Sequence, residues 1–223
     1  MRHYNITQRE READVYIFGD ISEFGGWGSD QSADSLIRQI EEMDADVINL
    51  HIDSFGGSVK EGWGMYNALK KHKATVNTYA DGFVASAALY PYLAGDKRYA
   101  SQVSAFYLHE MSTCAGGYAS DLRAAADDLD KLTEIGVRAF VESAGMDRDE
   151  VLELMKAETW LDPAEALEKG ICTSIISAKA EQKLTQSVRR QIVQALTAMP
   201  ESHKEETKTT QNLFAKMFAP KGD

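Results

Sequence analysis

The sequence contains few cysteines and no long apolar run, and these absences exclude several classes of protein. Cys114 and Cys172 form no C-x-x-C pair and belong to no wider cysteine framework, which disfavours a disulfide scaffold or a zinc site and predicts two reduced thiols. No stretch approaches the roughly 18 to 20 apolar residues of a membrane-spanning helix, and the N-terminal sequence MRHYNITQREREAD lacks the apolar core of a signal peptide. We therefore expect a cytosolic protein.

Positive charge is also scarce. The 24 basic residues are outnumbered by 35 acidic residues, which gives a formal net charge of −11 at pH 7. Nucleic acids and anionic lipids bind to basic surfaces, so neither is expected as a partner. The chain has 223 residues, 43% of them hydrophobic, which is enough for one globular domain with a sizeable core and a tail.

Short β-branched runs alternate with amphipathic stretches through the first half of the chain. This βαβα order predicts an α/β domain with a mostly parallel sheet. The predicted strands are ADVYIFGD, ADVINLHID and ATVNTYA, and the helices that alternate with them span residues 32–43, 58–71 and 85–94. The later predictions are a strand in VSAFYLHE, helices near 119–144, 148–156 and 163–169, and a strand in ICTSIIS.

The composition changes near residue 180. An apolar stripe at helical spacing is followed by the polar linker PESHKEETKTTQN and the short apolar segment LFAKMF; the stripe consists of Leu184, Val188, Ile192, Leu196 and Met199. A purely disordered tail would have a similar composition. We divide the chain into an N-terminal segment (1–13), a main domain (14–178) and a C-terminal helix, charged linker and apolar tail (179–223).

The stretch DGFVASAALYPYLAG places Ser86 among alanines at a predicted helix start. Serine is common there because its oxygen accepts a hydrogen bond from an unpaired amide, so a capping role is one interpretation. A nucleophilic serine is the other, and it requires a base, a group that orients the base and amide donors for an oxyanion. The small neighbouring alanines would let a substrate backbone approach closely.

Five histidines are candidates for the base: His3, His51, His72, His109 and His203. His3 and His203 lie in segments expected to be mobile, and His72 lies in the polar KKHK. His51 lies within a predicted strand, as a core or edge residue. His109 ends the apolar strand SAFYLHE, and sites of open α/β sheets collect at the carboxyl ends of strands. The residues alone favour His109 modestly over His51.

A second glycine stretch, DSFGGSVKEG, follows the strand VINLHI and begins a helix. One interpretation is a tight turn that needs glycine only for its backbone angles. The other is that the unobstructed amide of Gly57 donates to a substrate oxyanion. The stretch matches neither glycine pattern of phosphate-binding loops, so a nucleotide site is not expected.

Four segments resemble the proteolytic subunit of the Clp protease, ClpP, and more closely the ClpP-related head maturation proteases of tailed bacteriophages. HIDSFGGSV is similar to the family's Asn-Ser-Pro-Gly-Gly turn, and DGFVASAA to its nucleophile motif. FYLHEMSTCAGGYASDL is similar to its histidine strand and the start of its handle helix, and TWLDPAEALEKGICTSI to its closing segment. The resemblance runs from about residue 14 to residue 178.

The resemblance implies the α/β fold that ClpP shares with crotonases, a spiral of ββα units with a protruding handle helix, in place of a simple doubly wound sheet. It implies Ser86 as nucleophile and His109 as base, with the oxyanion held by the amides of Gly57 and Ala87. The further substrate-binding positions that it implies are Gly56, Ser58, Gly116 and Gly117. It implies no metal and no organic cofactor.

The third member of the triad departs from the family pattern. Where the cellular family has an aspartate, three residues before the leucine of the closing segment, this chain has Glu158. Two nearby aspartates compete, but Asp162 before Pro163 and Asp147 both have the sequence pattern of helix N-caps. We assign the role to Glu158, because glutamate orients histidine in other hydrolases. A looser Ser-His dyad and Asp162 stay open.

The resemblance implies a serine endopeptidase that assembles into a homo-oligomeric ring. We expect it to cleave capsid or scaffold proteins during virion maturation, in the cytoplasm of a bacterial host or within the procapsid, without an ATPase. This expectation rests on Glu158 and Phe55, on the short N-terminal segment and on the C-terminal extension. The alternatives are a cellular Clp subunit that acts with an ATPase, a non-catalytic ring component and a crotonase-type acyl-CoA enzyme.

Overall fold

A computed structural model describes residues 4–22 and 32–176, all of which belong to one compact unit. The predicted C-terminal helix, linker and apolar tail lie outside the described residues. These described residues form eight strands: β1 (Tyr4–Arg9), β2 (Glu12–Phe18), β3 (Val47–Ser54), β4 (Thr75–Ala85), β5 (Lys97–Ser101), β6 (Ala105–Leu108), β7 (Thr159–Leu161) and β8 (Ser174–Ile176). The same part of the chain forms six α-helices, which are α1 (Ala33–Glu42), α2 (Val59–Lys71), α3 (Leu89–Leu93), α4 (Ala119–Ala144), α5 (Arg148–Lys156) and α6 (Pro163–Glu168), and one 3₁₀ turn at Ser86–Ala88.

The described strands form one mixed sheet in the order β1-β2-β3-β4-β5-β8. Strand β4 branches, because its first part pairs with β5 and its last residues pair with β6, which in turn pairs with β7. The β1–β2 and β6–β7 pairs are antiparallel and the others are parallel. This confirms the predicted mostly parallel α/β sheet. Within the predicted N-terminal segment, residues 4–9 form β1 and residues 12–13 begin β2.

One face of the sheet is covered by helices. Alternate residues of β2 and β3 point into the hydrophobic core, where they join the buried residues of α1 and α2. The buried strand residues are Ala13, Val15, Ile17, Ile48, Leu50 and Ile52, and the buried helix residues include Leu36, Ile40, Met65 and Leu69. The helix boundaries follow local capping, since Ser32 accepts a hydrogen bond from Ser35 and Ser58 accepts one from Glu61.

The opposite face carries a row of stacked rings, formed by Tyr16, His51, Tyr79 and Tyr99 on four adjacent strands. The His51 ring lies between two tyrosines, with centroid distances of 5.0 and 4.6 Å. Its Nδ1 is 2.8 Å from Asp81 Oδ2. His51, the other strand histidine considered as a base, is therefore engaged within this row.

Helix α4 has the predicted bounds and two different halves. Its C-terminal half buries Thr133, Gly136, Val137, Ala139 and Phe140 against the rest of the unit. Its N-terminal half is largely exposed, which matches a protruding helix. Among residues 4–22 and 32–176, no helix combines the length and the apolar composition needed to cross a membrane.

Candidate active site

Ser86 lies at the junction between β4 and the 3₁₀ turn that follows it. Its backbone has a φ of 55°, an uncommon value for a residue with a side chain and one that often marks functional sites. The N-cap of the turn is Ala85, and no side-chain hydrogen bond caps the turn. The Ser86 hydroxyl therefore does not serve as a helix cap, which was one of the two interpretations of its sequence.

His109 directly follows β6 and contacts Ser86. Its Nε2 lies 2.7 Å from Ser86 Oγ. The contact follows from the topology, since β4 and β6 are parallel neighbours with Ala85 paired to Tyr107, so both chains leave the sheet at the same edge. When the hydroxyl donates its proton to Nε2, the neutral imidazole carries its own proton on Nδ1. This is the geometry of a serine that is activated by a histidine base.

The glycine turn after β3 packs directly against Ser86. Gly56 has a φ of 93°, and a Cβ built there would lie 2.5 Å from the Ala85 oxygen and 2.8 Å from the Ala87 nitrogen. Gly57, with a φ of 136°, forms a parallel bridge with Ile21, and a Cβ there would collide with the Ile21 carbonyl oxygen. Both positions therefore require glycine for steric reasons as well as for their backbone angles.

A cavity of about 50 Å³ lies beside the Ser86–His109 pair, and Gly57 and Ala87 also line it. Because Ala87 is the second residue of the 3₁₀ turn, its amide has no acceptor within that turn. The remaining wall is mostly apolar and includes Val59, Leu89, Leu108, Met111, Phe140 and Met155. Burial raises the pKa of Tyr90, which also lines the cavity, to about 12.

Glu158 lies across from His109 in the extension of the β6–β7 pair. The last paired residues are Leu108 and Thr159, so His109 and Glu158 are the next residues along these antiparallel strands. The pairing stops before them, and Glu158 lies in the turn before β7, so the strand register does not set the direction of its side chain. The backbone of Glu158 has a φ of 52°. Its side chain is exposed, and no hydrogen bond joins it to His109 within the described part of the chain.

The two competing aspartates cap helices. Asp162 Oδ1 accepts hydrogen bonds from the amides of Ala164 and Glu165 at the start of α6, and the Glu165 carboxylate accepts one from the Asp162 amide. Asp147 Oδ1 accepts two amide hydrogen bonds at the start of α5. The predicted capping roles of Asp147 and Asp162 are confirmed.

The sequence of this chain matches a known protein family over most of its length. The Clp protease family model matches residues 11–179. The chain belongs to the Clp protease family. It is 29% identical over 174 residues to the ATP-dependent Clp protease proteolytic subunit 2 of Treponema pallidum, a match that covers 75% of this chain and 83% of that protein. It is 30% identical over 172 residues to subunit 3 of Rhizobium meliloti, covering 75% and 85%.

The fold agrees with this membership. The solved structure of a mutant of ClpP1 from Listeria monocytogenes matches with a TM-score of 0.64 and 25% identity, over 75% of this chain and 92% of that chain. The expected ClpP-like fold is confirmed, and the chain is a Clp-type serine peptidase, a hydrolase of peptide bonds.

The structure does not bring all the predicted substrate-binding residues of this Clp protease together. Gly56 lies against Ser86, and Ser58 caps α2 through its contact with the Glu61 amide. Gly116 and Gly117 lie in the exposed segment before α4, and neither lines the cavity. Their roles stay predictions.

Sequence reasoning missed the apolar wall of the cavity. Its residues come from α2, α3, β6, α4 and α5, and from the segment after His109. Each of them has the local pattern of an ordinary core residue. Only their arrangement in three dimensions distinguishes them, so no signal in a single sequence could have identified them.

Proposed function

We propose that the protein cleaves peptide bonds by an acyl-enzyme mechanism in which Ser86 is the nucleophile and His109 the general base. The observation that carries the proposal is the 2.7 Å contact between Ser86 Oγ and His109 Nε2 at a positive-φ turn. His109 takes the hydroxyl proton as Oγ attacks the substrate carbonyl, and then gives that proton to the leaving amine. In the second half of the reaction, His109 takes a proton from water as the water attacks the acyl-enzyme, and then returns that proton to Ser86 Oγ as the ester bond breaks.

The negative charge that develops on the carbonyl oxygen requires donors. Gly57 and Ala87 line the cavity together with Ser86, and their amides are proposed to supply these donors. Because both amides belong to turns that are packed tightly against each other, they are held in place before the substrate arrives. All the groups in this mechanism belong to this chain.

Glu158 is proposed to orient His109. Support comes from the chain positions of the two residues, since His109 directly follows Leu108 and Glu158 directly precedes Thr159, and Leu108 and Thr159 are paired. This role requires a side-chain conformation that brings the carboxylate to Nδ1, where it would accept a hydrogen bond from the Nδ1–H group and stabilise the imidazolium. A Ser-His dyad without this contact is the alternative.

The apolar cavity is proposed to receive the side chain that precedes the scissile bond. Its volume of about 50 Å³ and its wall of aliphatic and methionine side chains favour an uncharged residue of modest size. Peptides with aspartate or lysine at this position should be poor substrates, because a buried charge without a partner is costly.

For the biological substrate, we propose capsid or scaffold proteins, cleaved without an ATPase inside the host cell or the procapsid. Support comes from Glu158 and Phe55, which stand where the ClpP family has aspartate and proline. The alternative is a subunit supplied by an ATPase, which is favoured by the names of relatives such as the ATP-dependent Clp protease proteolytic subunit of Bdellovibrio bacteriovorus. Incubation with the scaffold protein alone should give a few discrete fragments. Inactivity until a Clp ATPase is added, followed by processive degradation, would select the alternative.

We propose a homo-oligomeric ring as the assembled form. The exposed part of α4 carries Leu122, Leu132 and Ile135, which are 47%, 38% and 44% exposed and too apolar for a fully solvated helix. Light scattering should give a mass several times the 24.7 kDa of one chain. A monomer at high concentration would contradict the ring.

The proposed chemistry is tested by replacing Ser86 and His109 in turn and comparing each variant with a matched control. Ser86→Ala and His109→Ala should leave folded protein without peptidase activity, and Ser86→Ala should no longer react with a fluorophosphonate. Ser104→Ala and His72→Ala, whose side chains bond to backbone carbonyls elsewhere, should keep both properties. Peptide cleavage by purified Ser86→Ala would contradict the proposal. Failure of the wild type to react would favour a non-catalytic ring component or an acyl-CoA enzyme.

A further inference from the structure

The segment that carries His109 out of the sheet is not held by strand pairing. Strand β6 ends at Leu108, and the residues from His109 to the start of α4 have no helix or strand. His109, Met111 and Ser112 nevertheless all line the cavity. The position of the base and of part of the cavity wall therefore depends on contacts that fix this short segment from outside the sheet.

Thr133 supplies such a contact. The amide of Met111 donates a hydrogen bond to Thr133 Oγ1 at 3.1 Å. Thr133 lies on α4 and is only 5% exposed. Threonine is a weaker helix former than most residues, and its buried hydroxyl needs a hydrogen-bond partner. The hydrogen bond from the Met111 amide satisfies this need and explains why a threonine stands at this position.

The next turn of α4 receives the same methionine. A Cβ at Gly136 would lie 2.8 Å from the Met111 methyl carbon and would collide with the Tyr90 hydroxyl. Positions 133 and 136 are three residues apart and so lie on one side of the helix. Phe140, one turn further, lines the cavity. One side of α4 thus holds the backbone of Met111, leaves room for its side chain and continues into the cavity wall.

We propose that Thr133 is a positioning residue for the peptidase reaction. By holding the Met111 amide, it keeps His109 Nε2 at Ser86 Oγ and keeps Met111 in the cavity wall. The inference rests on the proposed function, because it assigns Thr133 to the same site. Thr133 does not touch the substrate, so its effect should appear in the turnover rate and in side-chain selectivity.

The experiment compares Thr133→Val, which keeps the shape and removes the hydroxyl, with Thr133→Ser, which keeps the hydroxyl. Thr78→Val is the matched control, because the buried Thr78 hydroxyl donates to the Tyr92 carbonyl at 2.8 Å and does not line the cavity. For each variant we would measure kcat and KM on peptides that differ in the residue before the scissile bond, the rate of fluorophosphonate reaction, and Tm. If Thr133→Val does not fold, Thr133→Ala replaces it.

Thr133→Val should lower kcat by about 10- to 100-fold, the cost of a small misplacement of a reacting group, with a smaller change in KM and weaker discrimination between peptides. Thr133→Ser should restore most of the rate, and Thr78→Val should lower Tm without lowering kcat. Wild-type kcat and selectivity in Thr133→Val, or an equal loss of kcat in Thr78→Val, would overturn the inference while the proposed function stands. A wild-type protein that neither reacts nor cleaves would overturn both.

Discussion

Replacing Gly56 by alanine tests whether the glycine turn fixes the nucleophile. The new Cβ would lie 2.5 Å from the Ala85 oxygen and 2.8 Å from both the Ala87 nitrogen and Ser86 Cβ. Ordinary contact begins at 3.4 Å, so the two turns must separate by about 1 Å. The atoms involved are backbone atoms or lie next to the backbone, so no flexible side chain can relieve the clash.

Both stability and rate should fall. Alanine at this positive φ costs roughly 1–2 kcal/mol, and overpacking adds about 1–3 kcal/mol, which together predict a loss of about 2–5 kcal/mol in the free energy of unfolding. A shift of about 1 Å would also lengthen the 2.7 Å contact between Ser86 Oγ and His109 Nε2 beyond hydrogen-bonding distance. We expect kcat to fall by about 100-fold in the folded variant.

Gly145→Ala is the matched control. Gly145 ends α4 with a φ of 70°, and a Cβ there would meet no atom within 4 Å, so this variant carries the backbone cost without the clash. It should lose roughly 1–2 kcal/mol and keep wild-type kcat. Urea denaturation and peptide assays on both variants give the comparison. If Gly56→Ala loses no more stability than Gly145→Ala and keeps its activity, the steric argument is refuted.

Three further predictions concern the acid, a buried guanidinium and the thiols. Glu158→Gln should lower kcat by about 10²- to 10⁴-fold but still react with a fluorophosphonate. Asp162→Asn should keep its activity and lose less than about 1 kcal/mol of stability, because asparagine caps helices about as well as aspartate; the reverse pattern would move the third role to Asp162. Arg98→Met should lower the free energy of unfolding, measured by urea denaturation, by at least about 3 kcal/mol. The reason is that Arg98 is 8% exposed and donates hydrogen bonds to three backbone carbonyls; a loss under about 1 kcal/mol would contradict this. In the folded protein, only the exposed Cys114 thiol should react with Ellman's reagent. The Cys172 thiol should react only in urea, because Cys172 is 1% exposed and burial raises its pKa; two rapidly reacting thiols in the folded protein would contradict this.

The sequence predicted the elements whose signal is local. Helix α4 has the predicted bounds because its pattern persists through many turns and ends at Gly145, which adopts the left-handed conformation of a helix C-cap. Strands β1, β5 and β7 were missed. Each is short, and each is defined by its pairing with another strand, which periodicity cannot reveal.

The residues of the candidate site also divide into those with a local sequence signal and those without one. Ser86 and His109 were predicted because each stands in a distinctive local motif, and the structure brings their side chains together. The hydroxyl of Thr133 and the space beside Gly136 have no such signal, since a threonine and a glycine within a helix look like minor departures from good helix composition. Their contact with Met111 depends on how α4 packs beside the segment after β6.

Because β5 pairs with β8, this part of the sheet can form only after the ribosome has made all the residues between the two strands. Arg98 on β5 bonds to Thr173 across 75 residues of sequence, and its guanidinium is held by the carbonyls of Gly170 and Ile171. At about 5–20 residues per second, a ribosome needs roughly 4 to 15 s to make this intervening length. For that time the outer edge of β5 has no partner strand, and the Arg98 guanidinium lacks two of its three carbonyl partners. Unpaired strand edges of this kind aggregate. Chaperone demand should therefore be greatest for nascent chains that end between β5 and β8.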